Sequence, residues 1–297
     1  MVNDMEVFPG TLWDAAKVPA AEPELEGWIE FCVLSSSSQG NCSVLIHRRG
    51  SDLYRLTLLD AGLSPRRTRR TLADIGLDFD RIDDVIFTHL DQDHCRPTWR
   101  RALPPHARFH IHRRHLGRAE RTGLLTRRTE VFDDTPFRLR RSVVVTPTLL
   151  AHDDLGVAAF RFDFNDAQQS SLGYATDVGH VTPRLLNVLD SVDVLAIESN
   201  YCPRMQDASD RPWFLKQRIT GGRGHLSNQE SRAAVERIKP RRDVVLLHLS
   251  QECNSPDTAL QHHTDDRWSV SAAHPVEPGP FVHVAGKLDA SDASTRN

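Results

Sequence analysis

Thr88-His89-Leu90-Asp91-Gln92-Asp93-His94 is the stretch of sequence that decides most about the fold. Four of its seven residues are histidines or aspartates, whose side chains bind metal ions such as zinc, manganese and iron. The stretch directly follows a short run at residues 84–88 that is typical of a buried strand. The pattern favours a metal site at a strand end, and the alternative is a charged turn with exposed histidines.

Three further candidate ligands follow apolar runs in the same way. His152 comes after residues 143–150, Asp177 after residues 172–175, and His248 after residues 244–247. Each of them alone is more simply explained as a loop histidine or a capping aspartate. Their shared position after strands predicts that they converge at one edge of a sheet.

The secondary-structure pattern runs in the order strands, helices, strands, helices. Ser64 as N-cap, Pro65 and Gly76 mark one helix, and Ser227 with Glu230 forms a capping box for another. Helices are predicted at residues 65–76, 97–103, 113–121, from 182, and at 227–239, and strands at residues 29–34, 42–47, 53–59, 84–88, 108–112, 142–150, 157–164, 171–176, 193–198 and 244–247.

The organisation predicted along the chain is one large domain with two flanking segments. Residues 1–27 are rich in Pro, Glu and Ala and are predicted to form an arm that is partly disordered. The main domain is predicted to span residues 28–285, and residues 286–297 are predicted to form a polar tail.

Composition restricts the class of protein. Of the 297 residues 39% are hydrophobic and 26% are charged, which suits a globular protein with a real core. No run approaches the roughly 20 apolar residues of a membrane-spanning helix, and the N-terminus lacks the pattern of a secretory signal. The five cysteines are widely spaced and form no CxxC pair. We therefore expect a cytoplasmic protein without a membrane partner.

One segment departs from the net charge of −3. Residues 96–141 contain thirteen Arg and no Lys, against four acidic residues. The segment is either a surface for a polyanion or an ordinary solvated surface in a chain that prefers Arg to Lys. The sequence leaves both interpretations open.

Several separated motifs resemble the metallo-β-lactamase superfamily, and within it the YycJ/WalJ-like branch. The resemblance extends over residues 31–259 and includes the stretch quoted first. The other matching motifs are VLSSSSQGN at 33–41, LDAGLS at 59–64, ATDVG at 175–179, ESN at 198–200, LKQRI at 215–219, GHLSN at 224–228, and HLS at 248–250 followed by NSP at 254–256.

The resemblance implies an α/β fold, a four-layer αββα sandwich, with a dinuclear metal site at the sheet edge. It assigns His89, Asp91 and His152 to the first metal and Asp93, His94 and His248 to the second, with Asp177 bridging both. Asp60 would orient the ligand loop from behind. Asp93, Asp177 and His225 would be catalytic, His225 as a proton donor or phosphate contact, and Ser227 and Asn228 would contact substrate.

This chain departs from the family pattern at one ligand position. The family motif is HxHxDH, whereas this sequence has Asp91 at the second position. A carboxylate adds negative charge and a harder oxygen donor. We expect two divalent ions, zinc first, with manganese or iron as alternatives because of Asp91.

The function implied is that of a metal-dependent hydrolase, a phosphodiesterase or nuclease that uses metal-activated water on nucleic acid or another phosphodiester. No Ser or Cys nucleophile is required, and Cys95 is interpreted as a small buried residue. Alternative hypotheses are a hydrolase of a small ester, lactone, thioester or cyclic phosphodiester, a binding or regulatory protein with a degraded first metal site, and redox chemistry at a di-iron centre.

Overall fold

The computed structural model describes residues 24–50, 53–140, 142–152, 154–222 and 224–287. The strands in these residues are β1 Trp28–Ser35, β2 Cys42–Arg48, β3 Tyr54–Leu59, β4 Ile82–Ile86, β5 Arg108–His112, β6 Thr129–Phe132, β7 Phe137–Arg140, β8 Val143–Leu150, β9 Val157–Phe164, β10 Ser171–Ala175, β11 Val194–Glu198, β12 Asp243–Leu247, β13 Ser269–Ala272 and β14 Val282–Gly286. The helices are α1 Pro65–Asp74, α2 Trp99–Ala102, α3 Leu116–Arg121, α4 Pro183–Leu189, α5 Pro203–Ala208, α6 Trp213–Thr220, α7 Asn228–Ile238 and α8 Pro256–Gln261.

The strands form two seven-stranded sheets, each half antiparallel and half parallel. The first has the order β14-β1-β2-β3-β4-β5-β6, and the second has the order β13-β12-β11-β10-β9-β8-β7. Strands β3 to β6 run parallel, and so do β10 to β13. Parallel neighbours end at the same edge of a sheet, so the loops that follow β3, β4, β10, β11 and β12 are brought to the sheet edges where ligands bind in α/β folds.

Three apolar clusters separate four layers. One cluster lies between the sheets and contains Phe31 of β1 and Phe160 of β9. A second joins the first sheet to α1, α2 and α3, and a third joins the second sheet to α4, α7 and α8. Strands buried on both faces need continuous apolar sequence, which β11 and β12 have. The predicted αββα sandwich is confirmed.

The helix signals identified helix starts accurately. The Ser64 side chain accepts from the Arg67 backbone NH at the start of α1, and the capping box of Ser227 with Glu230 is formed at α7. Gly76 has a φ of 75°, a left-handed conformation that glycine adopts without steric cost. The elements that were not predicted are short: β6, β7, β13, β14, α5, α6 and α8.

The flanking segments stay predictions. Most of residues 1–27 and 286–297 lie outside the described residues, of which only 24–27 and 286–287 belong to those segments. None of the helices in the described part of the chain has both the length and the apolar character that crossing a membrane requires.

Candidate metal centre

Three of the predicted site residues leave their strands in a left-handed backbone conformation. Asp60 follows β3, Asp177 lies two residues beyond β10, and His248 follows β12, with φ angles of 62°, 53° and 55°. Residues other than glycine are rare in this region because it costs free energy, and such residues concentrate at functional sites. The sharp turns return these side chains to the sheet edge.

The loop that carries the quoted stretch is fixed through its backbone. The Asn41 NH donates to the Asp93 carbonyl at 2.7 Å, and the Ala61 NH donates to the His94 carbonyl at 2.7 Å. A Cβ atom at position 62 would collide with the Asp93 carbonyl oxygen. Gly62 is therefore required for the close approach of this loop to the end of β3.

The structure brings the predicted ligands together around Asp177. His89, His152 and Asp177 offer ligand atoms within 4.8 Å of one another, and so do Asp93, His94 and His248. A third such group joins Asp177 and His248 to His225 and to Glu198, which was not predicted as a site residue.

Asp177 lies at the centre of these groups. One of its oxygens is 2.9 Å from His94 Nε2, and the other is 3.8 Å from His152 Nε2 and 3.5 Å from His248 Nε2. Asp177 therefore approaches histidines of both ligand groups, His152 of the first and His94 and His248 of the second. A carboxylate shared by two ions would have neighbours from both groups.

Asp60 lies behind His94, where it orients the imidazole ring. Its Oδ2 is 2.8 Å from His94 Nδ1, and its Oδ1 accepts from the Thr88 NH at 2.8 Å. A carboxylate held in this way fixes the ring with Nε2 directed toward Asp177. The effect of Asp60 on activity, which the resemblance implied, stays a prediction.

His225 and Glu198 form a hydrogen-bonded pair beside Asp177. His225 Nδ1 is 2.7 Å from Glu198 Oε1 and 3.5 Å from Asp177 Oδ1. Glu198 Oε2 accepts from the backbone NH groups of Val178 and Leu226. Both of its oxygens are thus engaged by the protein, and Oε1 holds the His225 ring in place.

The loop before β2 joins the two halves of the site. The Ser36 hydroxyl accepts from the His248 NH at 2.7 Å and lies 2.9 Å from Asn41 Oδ1. That same oxygen is 3.1 Å from His248 Nδ1, while Asn41 Nδ2 is 2.9 Å from His94 Nε2. One asparagine thus contacts a histidine from each sheet.

Burial and mutual charge shift the pKa values of these groups. Burial alone would raise the pKa of Asp177, but His248 and His94 hold it well below its usual value. Burial raises the pKa of Glu198 well above its usual value, and the negative charge of Asp177 adds to this effect. Burial lowers the pKa of His248 to about 4. An uncharged imidazole and an ionised carboxylate are the forms that bind cations.

Asp91 has a different environment from the other predicted ligands. Its Oδ1 accepts from Arg118 Nη1 at 2.5 Å, and its Oδ2 is 3.8 Å from His89 Nε2. It belongs to none of the three ligand groups found in the described residues. The structure therefore gives Asp91 a cationic partner from α3, and its role as a ligand stays a prediction.

Ser227 and Asn228 lie at the start of α7. The Ser227 hydroxyl takes part in the capping box, and Asn228 is fully buried, with its side chain bonded to Ser199 and Asn254. Their polar groups are thus engaged within the protein, and substrate contact by either residue stays a prediction.

Residues 96–141 were interpreted either as a surface for a polyanion or as an ordinary solvated surface, and their arginines differ in environment. Arg96 donates to the Gly62 carbonyl at 2.6 Å and Arg118 pairs with Asp91, so both are tied to the site. Other arginines of the segment, such as Arg101 and Arg127, are exposed. The segment is therefore not a uniform surface for an anion.

The donor set fits divalent metal ions. One group of three side chains contains Asp177 with His89 and His152, and the other, Asp93, His94 and His248, lies beside Asp177. Within each group the ligand atoms lie within 4.8 Å of one another. Nitrogen from imidazole and oxygen from carboxylate suit zinc, manganese and iron. The orienting partners behind His94 and His152 complete the arrangement, since His152 Nδ1 lies 3.1 Å from the Gly224 carbonyl.

Two mixed sheets between helical layers, with histidines and aspartates at the strand ends, define the metallo-β-lactamase fold class. Residues 55–249 match the model of the Beta-lactamase superfamily domain, so the chain belongs to this family. The prediction made from the motifs is confirmed.

Two relatives and one solved structure agree with this. Exodeoxyribonuclease WalJ of Streptococcus pneumoniae serotype 2 is 25% identical over 77% of this chain and 85% of the relative. Exodeoxyribonuclease YycJ of Bacillus anthracis is 24% identical over 78% of this chain and 86% of the relative. The metallo-β-lactamase fold protein YhfI of Bacillus subtilis superposes with a TM-score of 0.60 and 14% identity, over 85% of this chain and 99% of that one. The predicted YycJ/WalJ-like branch is therefore confirmed as well.

Proposed function

We propose that this chain is a metal-dependent phosphodiesterase that hydrolyses DNA. The observation that carries the proposal is the convergence of two histidine and aspartate groups on Asp177, with His225 and Glu198 paired beside them. The two relatives named exodeoxyribonuclease support the substrate class. A cytoplasmic location belongs to the same proposal, and the five buried, unpaired cysteines support it.

The residues divide into two sets that would hold two ions. His89 and His152 would serve one, Asp93, His94 and His248 the other, and Asp177 both. Divalent ions in these positions lower the pKa of water toward neutrality and stabilise negative charge on a phosphate oxygen. We infer zinc first, and manganese or iron as alternatives.

The protein groups supply positioning and proton transfer. The carboxylates of Asp93 and Asp177 would accept hydrogen bonds from the attacking water and fix its direction. His225, held through Nδ1 by Glu198, would present Nε2 to the leaving oxygen and donate a proton there. The buried Glu198 keeps this ring in one orientation, which avoids an entropic cost during the reaction.

The test is hydrolysis by purified protein of known metal content. We expect two equivalents of zinc, manganese or iron per chain by elemental analysis, and cleavage of both bis-p-nitrophenyl phosphate and linear DNA that a chelator abolishes. Hydrolysis of thioesters or lactones without hydrolysis of either phosphodiester would contradict the proposal. A protein without metal that cleaves none of these substrates would favour the binding or regulatory alternative.

A further inference from the structure

Helix α6 exposes two adjacent aromatic side chains. Trp213 is 75% exposed and Phe214 is 65% exposed, more than the other large hydrophobic side chains in the described residues. Scattered single hydrophobic residues are normal on a protein surface, but an exposed Trp next to an exposed Phe indicates a contact surface. Nothing in the catalytic arrangement above uses these two residues.

The opposite face of α6 anchors the helix to the protein. Ile219 is buried with Tyr201 and Cys253, and Leu215 packs against the same cluster. Residues four apart share a face of a helix, so the exposed Arg218 lies beside Phe214. The outer face therefore presents two aromatic rings and one guanidinium.

The C-terminal end of α6 is joined to the loop of His225. The His225 NH donates to the Ile219 carbonyl at 2.9 Å. A Cβ atom at Gly224 would collide with the Ile219 carbonyl oxygen, so the glycine permits this close approach.

The length of α6 fits the spacing of nucleotides. Six residues separate Trp213 from Ile219, which is about 9 Å along a helix axis. Stacked bases of one strand are about 3.4 Å apart. A strand that followed the helix axis would span this distance with roughly two or three stacked nucleotides. Aromatic rings that stack on bases next to a cation that meets phosphate are how proteins hold single strands without reading sequence.

We propose that Trp213, Phe214 and Arg218 form a stacking platform for a single-stranded end of the DNA substrate, next to the catalytic site. The inference rests on the proposed function, because it assumes that the scissile phosphate lies at His225. It adds that the substrate is a DNA strand of several nucleotides. A small phosphodiester such as bis-p-nitrophenyl phosphate does not extend to Trp213 and Phe214, so its hydrolysis does not report on the platform.

The test compares binding and hydrolysis in the metal-loaded protein. The probe is a fluorescein-labelled 12-mer oligothymidylate with phosphorothioate linkages, which resist cleavage. The double variant Trp213→Ala/Phe214→Ala is expected to raise Kd by about 10- to 100-fold, as loss of base stacking does. Arg218→Gln should weaken binding and reduce its salt dependence. Hydrolysis of bis-p-nitrophenyl phosphate should stay at the wild-type rate in the double variant.

Val131→Ala is the matched control, because Val131 is a 48% exposed apolar residue on strand β6 of the other sheet. Its Kd for the oligonucleotide should equal that of the wild type. Unchanged oligonucleotide binding by the double variant overturns the platform. This also applies if the double variant changes from a dimer to a monomer, because the rings would then form a contact between two copies of the chain. Wild-type protein that binds the oligonucleotide through these rings but hydrolyses no phosphodiester would instead overturn the proposed function and leave the platform supported.

Discussion

Asp91 Oδ1 and Arg118 Nη1 form an ion pair at 2.5 Å between the ligand loop and helix α3. The family motif places a neutral histidine where this chain has Asp91. Arg118 supplies a positive charge that offsets the extra carboxylate, so the local charge stays close to that of the family pattern. Both side chains are 29% exposed, which leaves the pair open to screening by salt.

We predict that Arg118→Gln tightens metal binding. Without the Arg118 guanidinium the negative charge of Asp91 has no cationic partner. That charge then attracts a divalent ion at the neighbouring ligand groups more strongly. We expect Kd for Mn²⁺ to fall by about 3- to 10-fold at low salt, with a smaller change at high salt. Titration calorimetry on the metal-free protein measures this.

Arg114→Gln is the control for this change, because Arg114 is exposed near α3 and donates to the Asp154 carbonyl. Its metal affinity should match that of the wild type. Weaker metal binding in Arg118→Gln would mean that the arginine holds Asp91 in position as a ligand.

A second prediction separates the roles of two buried aspartates. Asp177→Asn should lose most of the bound metal, because Asp177 lies within 3.8 Å of His94, His152 and His248. Asp60→Asn removes only an orienting carboxylate and should keep metal while losing about 10- to 100-fold in activity. Elemental analysis and hydrolysis rates measured on the same preparations test this. Equal and mild losses in both variants would contradict a bridging role for Asp177.

The third prediction concerns the leaving group. His225→Ala should lower kcat by about 10²- to 10⁴-fold on DNA, since no proton reaches the leaving oxygen. The loss should be much smaller on bis-p-nitrophenyl phosphate, because p-nitrophenolate leaves without protonation. Metal content and Tm should stay unchanged. His106→Ala, a change to a half-exposed histidine that pairs with Asp83, serves as the control. A normal rate on DNA would exclude His225 as the proton donor.

The fourth prediction is a pH dependence of stability away from the metal centre. Burial lowers the pKa of His263 to about 4, and the charges of Arg232 and His262 add to this. Its Nε2 is buried without a hydrogen-bond partner among the described residues. Because the unfolded chain binds this proton near pH 6.5, the stability contributed by neutral His263 is present above that pH and is lost as the pH falls toward 4.

The measurement is urea unfolding at pH 7 and pH 4.5. Between pH 7 and pH 4.5 the free energy of unfolding of the wild type should fall by about 2 kcal/mol more than that of His263→Phe, because phenylalanine cannot be protonated. The same fall in both proteins would show that His263 is not responsible. His106→Phe should behave like the wild type.

The sequence by itself determined the layered fold, and it predicted most of the residues that the structure brings together around Asp177. Strands buried on both faces and helix caps at Ser64 and Ser227 are local signals, so they are readable without a structure. The candidate ligands were predicted for the same reason, since each follows an apolar strand. His152, Asp177 and His248 follow strands of one sheet that end at the same edge, whereas the approach of the loop at residues 89–94 from the other sheet depends on how the layers pack.

The tertiary structure alone decided which groups support the site. Asn41 contacts His94 and His248, which are 53 and 207 residues away along the chain, and Glu198 holds His225 across 27 residues. The same holds for Arg118, which is one of thirteen arginines in residues 96–141. The packing of α3 places this arginine at Asp91, and nothing in the local sequence distinguishes it from the others. Helix α6 is short and has no amphipathic pattern strong enough to predict it, so the position of Trp213 also depends on packing. Side-chain pairs between distant segments depend on how the layers fit together, and no local pattern encodes that fit.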